Sequence, residues 1–534
     1  MRRIIIQLFV LVLIGSVAIN CATRGNVEGG PKDLNAPQIT RQIPENYTTN
    51  FDSKEIRIYF NEYIKVKDLR KQLIISPPMD TEATVTPLGT ASKYIQIVIN
   101  DTLDNNTTYA FNFGQSIVDN NEENPYDYYR YVFSTGDYID SLRVTGRILD
   151  AENREPDNFV SVMLYEVDST YTDSTLYYEK PKYITNTLDS LTVFSIDNIK
   201  AGSYKLVALK EENPNFVYDP KTDKIGFHEG FITVPTDSFY VITMFKEVLD
   251  FKATRTKQVA GQKIAFGYEG DYEGTEIDAL GDSLQNLETR IIKDQKADTL
   301  YYWYKPKVEQ DSALFVIKNK TYSDTLIHKF RDLEKDSLTI KAVTGGTLNF
   351  KEDFILTGTV PFENFDESRI TILNKDSLEV DFTTTYSEIE NHFNISFEKE
   401  ESQKYAISIL PNAIEDFFGN VNDTINLSVR TKPLADYSNM RVTLINADYP
   451  MILQLVSDNG EVKYEKYTTE PKLIDFQNLA PGSYYLRAIF DANENKKWDT
   501  GDFLNQTQPE RISYYPEPID ARAGWDQVIT FTLK

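Results

Sequence analysis

The chain of 534 residues has little sulfur, histidine or tryptophan, with one cysteine, three histidines and three tryptophans. One cysteine excludes an internal disulfide framework and a zinc site built from cysteines. Cationic residues are also outnumbered, because 56 lysines and arginines stand against 81 aspartates and glutamates, for a formal net charge of −25. No basic patch offsets this charge, so we expect no nucleic-acid partner.

Apolar runs are short everywhere except at the amino terminus. Residues 1–3 are a basic start, and residues 4–17 form an apolar stretch that only Gln7 interrupts. A transmembrane helix needs about 18 or more apolar residues, so this stretch is too short to be one. The basic start, apolar stretch and following small residues are typical of a secretory signal peptide, which we assign to residues 1–20.

The only cysteine, Cys21, comes directly after this segment. It resembles the lipidated first residue of a bacterial lipoprotein, although Ala18 and Asn20 depart from the usual lipobox. The resemblance implies a lipid anchor on Cys21, with the membrane as partner and a location at the outer membrane, on its periplasmic face or at the cell surface. Residues 21–36 are rich in glycine and poor in apolar side chains, which predicts a flexible tether. An ordinary export signal with an inert cysteine is the alternative.

Aromatic and β-branched residues are abundant, with 34 tyrosines and 30 phenylalanines. They recur with period two, for example over residues 56–60, 109–113 and 528–533, and Asn, Asp, Gly and Pro separate these runs. Alternation of this kind predicts short strands, and their spacing predicts an all-β fold of tandem sandwiches. One stretch has helical spacing instead, or forms a strand pair with a loop: Ile277, Leu280, Leu284, Leu287 and Ile291.

Two internal repeats organise the chain. Residues 199–209 align without a gap on residues 479–489, and residues 109–119 resemble residues 405–416. In the first repeat, alternation places Tyr, Leu and Ala on one buried face, and a glycine supplies the positive φ of a tight turn. The predicted modules are 37–138, 139–247, 248–346, 347–436 and 437–534, each close to the size of a small β-sandwich.

The first module resembles a known family. Residues 29–33, 58–62, 109–114 and 133–137 look like the start of a Bacteroidetes-type exported lipoprotein that carries a bacterial Ig-like domain of the S-layer kind. Modules 139–247 and 437–534 resemble prealbumin-like or carboxypeptidase-regulatory-like sandwiches, and module 347–436 resembles a second Ig-like module. Module 248–346 is a β-rich module without an assigned family. The resemblance implies an exported, envelope-anchored β protein, and it carries no catalytic residues to this chain.

Residues 491–502 carry oxygen side chains at relative positions 1, 3, 5, 9 and 12. This is the ligand spacing of a calcium loop, in which alternate residues point inward round one hard cation. Lys496 and Asp502 depart from the glycine and glutamate that such a loop usually has. A polar hairpin loop with turn-forming Asn and Asp is the alternative. The predicted ligands of a possible structural Ca²⁺ are Asp491, Asn493, Asn495, Asp499 and Asp502.

Two short motifs have simpler explanations. Residues 281–284 match the nucleophile block of GDSL hydrolases, but Ser283 has only His328 and His392 downstream, and neither stands in that family's Asp-x-x-His arrangement. Asp followed by Ser or Thr and an aliphatic residue recurs along the chain, as at residues 101–103 and 376–378. This pattern resembles the O-glycan acceptor of exported Bacteroidetes proteins, or it is a turn aspartate that leads into a strand.

These features predict a lipid-anchored envelope protein with a structural or binding role through tandem modules. The alternative is an accessory subunit of an envelope glycan-handling or secretion complex, and a serine hydrolase is the least favoured interpretation. We expect no enzymatic activity and no cofactor apart from the possible structural Ca²⁺. The expected partner, besides the membrane, is an envelope protein or a glycan.

Overall fold

The computed structural model describes residues 32–187, 191–281 and 284–533. Within these ranges the chain is almost entirely strand and loop, which confirms the predicted all-β class. Helical structure is limited to short turns, such as α1 (Leu69–Gln72) and the 3₁₀ turns Asp173–Tyr177, Glu367–Arg369 and Leu434–Asp436. No helix of the described part of the chain has the length and apolar character needed to cross a membrane. Cys21, the predicted signal peptide and Ser283 lie outside the described residues.

The first group of strands forms a sandwich. Its sheets have the orders β1-β2-β5-β4, with β7 also on β2, and β3-β6-β8, where the strands are β1 (Ile39–Ile43), β2 (Glu55–Val66), β3 (Ile74–Ser76), β4 (Thr84–Thr86), β5 (Ser92–Val98), β6 (Thr108–Asn112), β7 (Ile117–Asp119) and β8 (Arg130–Ser134). The period-two pattern of β2 turns Ile56 and Ile58 inward, where they share one core with Phe111 and Phe133 of the facing sheet.

The second and fifth groups have the same topology, as the first repeat predicts. The second consists of β9 (Leu142–Asp150), β10 (Ser161–Glu166), β11 (Tyr183–Asn186), β12 (Val193–Ile199), β13 (Gly202–Lys210), β14 (Lys224–Phe227), β15 (Ile232–Val234) and β16 (Phe239–Met244). The fifth consists of β33 (Ser438–Ile445), β34 (Met451–Val456), β35 (Val462–Thr468), β36 (Ile474–Leu479), β37 (Gly482–Phe490), β38 (Ile512–Tyr514), β39 (Ile519–Ala521) and β40 (Asp526–Thr532). Their sheet orders are β12-β9-β16 with β11-β10-β13-β14, and β36-β33-β40 with β35-β34-β37-β38.

The equivalent strands β13 and β37 confirm the predicted buried face. Tyr204 and Tyr484 are buried, and their hydroxyls donate to the carbonyls of Lys200 and Ala480 at 3.1 and 2.7 Å. The turn before each strand differs from the prediction, because its glycine does not have a positive φ. The left-handed residues nearby are Asn198, at φ 60°, and Asn478, at φ 58°. They lie inside the preceding strands β12 and β36, where the register shifts against β9 and β33, and asparagine tolerates this conformation.

The third and fourth groups lie between these repeats. The third consists of β17 (Lys252–Ala260), β18 (Lys263–Glu269), β19 (Glu276–Leu280), β20 (Glu288–Lys293), β21 (Thr299–Lys305), β22 (Ser312–Asn319) and β23 (Tyr322–Lys329). The fourth consists of β24 (Ile340–Ala342), β25 (Phe354–Gly358), β26 (Phe362–Phe365), β27 (Ile370–Leu373), β28 (Phe382–Ser387), β29 (His392–Phe397), β30 (Lys404–Ile409), β31 (Ile414–Asp416) and β32 (Ile425–Arg430). Their sheet orders are β17-β18-β21-β20 with β19-β22-β23, and β24-β25-β29-β28 with β27-β30-β32 and the pair β26-β31.

The stretch with helical spacing in the third group is not a helix. Strands β19 and β20 occupy its two ends, but they belong to different sheets: β19 pairs with β22, and β20 pairs with β21. The alternative prediction, a pair formed by the two strands with each other, is therefore also not observed. Ile277 of β19 and Ile291 of β20 pack on one core from different sheets, whereas Leu280 is exposed. Cross-strand pairing therefore outweighs the local pattern.

The weaker repeat is also visible in the strands and loops. Strands β7 and β31 occupy equivalent places, and each ends in a buried aspartate that closes the following loop. The carboxylate of Asp119 accepts hydrogen bonds from the backbone N–H groups of residues 121, 122 and 124 at 2.8, 2.8 and 2.7 Å. Asp416 accepts from the N–H groups of residues 418 and 420 at 2.9 and 2.8 Å. Both acidic loops are therefore held by carboxylate-to-backbone bonds.

Adjoining groups share buried contacts. Trp303 of the third group packs in one cluster with Val360 and Phe417 of the fourth. Ile74 of the first group and Phe503 of the fifth both pack into a cluster formed mainly by the second. The predicted domain limits stay a prediction, and these clusters show that the groups are packed against one another.

Candidate functional site

The predicted calcium loop begins directly after β37. Asp491 has no exposed side-chain surface, and its two carboxylate oxygens accept hydrogen bonds from the backbone N–H groups of Asn495 and Lys496, at 3.1 and 3.0 Å. Lys496, at the position where a calcium loop usually has glycine, has a φ of 63°. The buried carboxylate therefore holds the left-handed turn that the loop requires.

Two asparagines of the predicted set converge on Asp499. The side-chain amides of Asn493 and Asn495 donate to one Asp499 carboxylate oxygen at 2.6 and 2.7 Å. Their carbonyl oxygens accept backbone N–H groups of the same loop, at 3.1 Å from Asn495 and 2.7 Å from Lys497. The structure thus brings together Asp491, Asn493, Asn495 and Asp499, as the spacing predicts.

Glu510 belongs to the same cluster, and the sequence motif does not reveal it. Its carboxylate oxygens accept from the backbone N–H groups of Ala492 and Asp499 at 2.8 and 3.2 Å. Burial, together with the nearby carboxylates of Asp499 and Asp491, raises the pKa of Glu510. Glu510 lies outside the twelve-residue window of the motif. It joins the cluster because the chain folds back and passes beside Ala492 and Asp499.

Asp502 is bound elsewhere, on the segment that follows. Its two carboxylate oxygens accept from the backbone N–H and the side-chain amide of Asn505, both at 2.8 Å. Among the residues described, no three His, Cys, Asp or Glu side chains converge as metal ligands, so a calcium ion here needs the asparagine oxygens. Hydrogen bonds already close this loop, in agreement with the hairpin-turn alternative, and calcium binding stays a prediction.

The segment that follows the loop docks on the second group of strands. The Thr500 hydroxyl donates to the carbonyl of Lys246 at 2.7 Å, and the backbone N–H of Phe503 donates to Glu247 Oε1 at 2.6 Å. The Phe503 ring is fully buried and lies edge-on to Phe227 at 5.2 Å. We call residues 500–508 the docking segment, because it joins two repeats that lie 280 residues apart in the sequence.

A buried lysine lies at the centre of this interface. Lys205 of β13 is 1% exposed, and its ammonium donates to the carbonyl of His228 at 3.0 Å and to Gln506 Oε1 at 2.7 Å. Its ammonium also lies 5.0 Å from the centre of the Phe227 ring and 5.8 Å from that of Phe503. Burial lowers the pKa of Lys205, since a charge is less stable away from water.

Strand β37 also takes part in the contact between repeats. Arg487 donates to the carbonyl of Glu152 at 3.3 Å, and the Tyr514 hydroxyl donates to the same carbonyl at 2.6 Å. Arg487 is held within its own sheet by Gln454, whose side-chain oxygen accepts at 2.7 Å. The sheets β10-β13 and β34-β37 are therefore buried on both faces, which explains the nearly continuous burial along their central strands.

His328 is one of the two histidines that follow Ser283 in the sequence. His328 is buried, and its ring nitrogens lie 3.1 Å from the Thr256 hydroxyl and 2.7 Å from Gln258 Oε1. Burial lowers the pKa of His328 to about 4, and Arg331 adds to this shift. Its nitrogens are thus engaged within its own sandwich, while Ser283 lies outside the described residues.

Most of the candidate glycan-acceptor hydroxyls in the described ranges are accessible. The Ser or Thr of the repeated motif is exposed at positions 102, 141, 312, 325, 337, 377 and 424 and half-buried at 299. Some of the aspartates also have turn roles: Asp101 accepts from the backbone N–H of Asp80 at 2.6 Å. Modification of these hydroxyls stays a prediction.

Comparison with known proteins gives one family match. Residues 33–135 match the bacterial Ig-like domain family, and a search of curated proteins found no match. Alignments to solved structures include domains 1–6 of the surface layer protein SbsC, at 12% identity, 91% and 67% coverage of this chain and that one, and a TM-score of 0.17. They also include the Bacillus anthracis TIE protein, at 10% identity, with 95% of this chain and 76% of that chain covered and a TM-score of 0.14. TM-scores this low support no inference, whereas the family match confirms that the first sandwich, β1–β8, is similar to bacterial Ig-like domains.

Proposed function

We propose that this protein is a lipid-anchored protein of the cell envelope with a structural or binding role. The observation that carries the proposal is the order of the sequence: a signal-peptide pattern ends at the lone cysteine, and an Ig-like match begins at residue 33, after a short tether. The side-chain amide of Asn124 donates to the carbonyls of Asp33 and Asn35 at 3.0 and 3.3 Å. The Ig-like sandwich therefore binds the end of the predicted tether.

Packing between the groups supports a structural role. The docking segment joins the second and fifth groups, and the Trp303 cluster joins the third and fourth. The Tyr437 ring packs on Phe350, with ring centres 5.4 Å apart, between the fourth and fifth groups. A chain of separate modules moves freely at its linkers, but buried contacts of this kind restrict such motion. We infer that the groups act as one rigid platform that carries the Ig-like module near the membrane.

A lipid anchor is a physical requirement of this role. One acyl chain gives only marginal membrane binding, whereas several acyl chains hold a protein stably. Metabolic labelling of the full chain with an alkyne analogue of palmitate, followed by fractionation, tests the anchor. We expect Cys21→Ser to lose the label and to leave the membrane fraction, while the neighbouring control Ala22→Ser keeps both. Membrane retention of an unlabelled Cys21→Ser protein would contradict the proposal.

The face of the membrane is tested separately. Protease treatment of intact cells digests the chain if it lies at the cell surface and leaves it whole if it lies in the periplasm. Permeabilised cells serve as the control, because the protease then reaches the chain in either case. Protection in both preparations, with the chain in the soluble cell fraction, would overturn an envelope location.

A further inference from the structure

A broad cleft lies at one side of the Ig-like sandwich. It measures about 1130 Å³ and runs between residues 39–47, which include the edge strand β1, and residues 126–130, which lead into the edge strand β8. We call it the tyrosine groove, after Tyr47 and Tyr128 on its two walls. Small-molecule sites usually measure about 300–1,000 Å³, so the groove is large enough for an extended ligand.

Tyr47 and Tyr128 both have a left-handed backbone conformation, with φ of 66° and 58°. This conformation is unfavourable for residues with a bulky side chain, and asparagine or glycine adopts it more readily. Hydrogen bonds impose it here: the Tyr47 N–H donates to the carbonyl of Val132 at 2.7 Å, and the Tyr128 N–H donates to that of Gly114 at 2.8 Å.

Folding does not explain why these two positions are tyrosine. They are 60% and 47% exposed, and neither belongs to the buried core of the sandwich. Asparagine would relieve the backbone strain without removing a core side chain. Strained residues of this kind cluster at sites that hold ligands, and two exposed rings in the lining of one groove suit a ligand with flat apolar faces.

The floor of the groove is held in place before any ligand arrives. The Gln42 side chain donates to the Tyr129 hydroxyl at 3.0 Å and accepts from the Asn46 N–H at 3.1 Å. The Arg130 guanidinium donates to Asp197 and Asn198 of the second group, at 2.7 and 2.8 Å. These bonds leave the floor rigid, so a ligand loses little entropy in ordering it.

The rim of the groove carries hydrogen-bonding side chains of both positive and negative charge. Arg41, Glu45 and Asp127 are exposed beside the two rings. Hydroxyl groups both donate and accept hydrogen bonds, so such a rim suits a neutral, hydroxyl-rich ligand. A peptide strand added to β1 would need apolar pockets for alternate side chains, but the lining is mainly polar, and the core side chains point into the sandwich.

We propose that the tyrosine groove binds a glycan chain, with the apolar faces of successive sugar rings stacked on Tyr47 and Tyr128. The proposal rests on the binding role proposed above and names the class of ligand. Hydroxyls of the sugars pair with the charged rim, and the fixed floor sets the direction of the chain. The expected ligand is an uncharged or weakly charged polysaccharide, from the envelope itself or from outside the cell.

Binding of defined oligosaccharides to the full chain in detergent tests the proposal. The probes are chitohexaose, cellohexaose and mannohexaose, and calorimetry measures the dissociation constants. We expect one or more to bind with a dissociation constant below about 1 mM, and Tyr47→Ala and Tyr128→Ala each to weaken this binding at least about tenfold. Chitohexaose preference points to an amino-sugar glycan such as that of the cell wall, and cellohexaose or mannohexaose preference points to an external polysaccharide.

Matched variants separate binding from folding. Tyr47→Asn and Tyr128→Asn should unfold at the same or a higher temperature than wild type, because asparagine accepts the left-handed conformation, and should still lose binding. Tyr47→Phe should keep binding, and Tyr178→Ala, at a tyrosine that is 81% exposed outside the groove, should have no effect. A wild-type protein that binds none of the three probes, or that binds an extended peptide library in the groove instead, would overturn the proposal. These readouts do not depend on lipidation, so they stand apart from the Cys21 experiment.

Discussion

Lys205 donates a hydrogen bond to Gln506 at 2.7 Å across 301 residues of sequence. This contact joins the second group of strands to the docking segment of the fifth. The lysine is buried, and a buried charge is stable only when its hydrogen bonds are made. The interface between the repeats therefore depends on this polar contact as well as on the packing of Phe503.

Removal of the Gln506 side chain tests this dependence. Gln506→Ala leaves the buried ammonium with one acceptor fewer, and we expect the free energy of local opening to fall by about 1–3 kcal/mol. Amide hydrogen exchange of β13 and the docking segment measures this change. Leu504→Ala, at an exposed position of the same segment, is the control and should change it by less than about 0.5 kcal/mol. Equal exchange in both variants would show that Gln506 does not stabilise the interface.

Gly501 allows the docking segment to approach the second group. A Cβ at this position would lie 2.6 Å from the Phe245 ring and 2.8 Å from the Thr507 carbonyl. We expect Gly501→Ala to destabilise the interface by about 1–3 kcal/mol, as in other overpacked sites, and to expose the segment to limited proteolysis. Gly345→Ala is the control, because no atom lies within 4 Å of the added Cβ. Unchanged cleavage in Gly501→Ala would mean that the segment docks in another way.

Calcium binding by the loop after β37 is tested by the melting temperature of the full chain. If the predicted site binds calcium, millimolar calcium raises the melting temperature, since a ligand stabilises the state that binds it. Asp499→Asn and Glu510→Gln should each remove this rise, because both lower the negative charge of the cluster. Asp458→Asn, in an exposed turn of the same group, should leave it unchanged. A wild-type protein without any rise would show that hydrogen bonds alone maintain the loop.

The buried His328 makes the third group sensitive to acid. Its pKa is about 4 in the folded chain, below the value of about 6.5 expected when unfolded. The unfolded state therefore takes up the proton first as the pH falls, so stability is lost progressively from about pH 6.5 towards pH 4. We expect amide hydrogen exchange in β22 and β23 to become faster as this stability is lost. In His328→Leu, the exchange should depend less on pH between about 6.5 and 4.

The control for this pH dependence is His392→Leu. His392 lies on β29 in the fourth group, where its ring is close to Gln295 and Glu390. Its replacement should leave the pH profile of β22 and β23 unchanged. A profile that shifts equally in both variants would assign the acid sensitivity to another group.

Local patterns predicted much of the fold. Alternation marked the inward residues of β2, and the aligned repeats predicted that β13 and β37 are equivalent. Alternation works because successive side chains of a strand point to opposite faces. The helix pattern over residues 277–291 was wrong, because pairing with β22 and β21 decides the structure there. The positive φ predicted for the turn glycines Gly202 and Gly482 was also wrong, because the left-handed residues, Asn198 and Asn478, lie four positions earlier, in the preceding strands.

Local sequence patterns predicted less of the candidate sites. Spacing predicted that Asp491, Asn493, Asn495 and Asp499 lie together, since they share one loop. It placed Asp502 in the same cluster, although this residue lies in the docking segment, and it missed Glu510. The tyrosine groove had no signal, because its walls come from segments about 80 residues apart that meet only when two sheets stack.

The sequence by itself determined the all-β class, the similarity of the first sandwich to Ig-like domains and the equivalence of the two repeats, because each is encoded in neighbouring residues. Only the tertiary structure decided which outer faces are covered. The buried Lys205, the docking of Phe503 and the pairing of Arg487 with the carbonyl of Glu152 each join residues hundreds of positions apart. No local period specifies such contacts, since they depend on the shapes and charges of complete sheets.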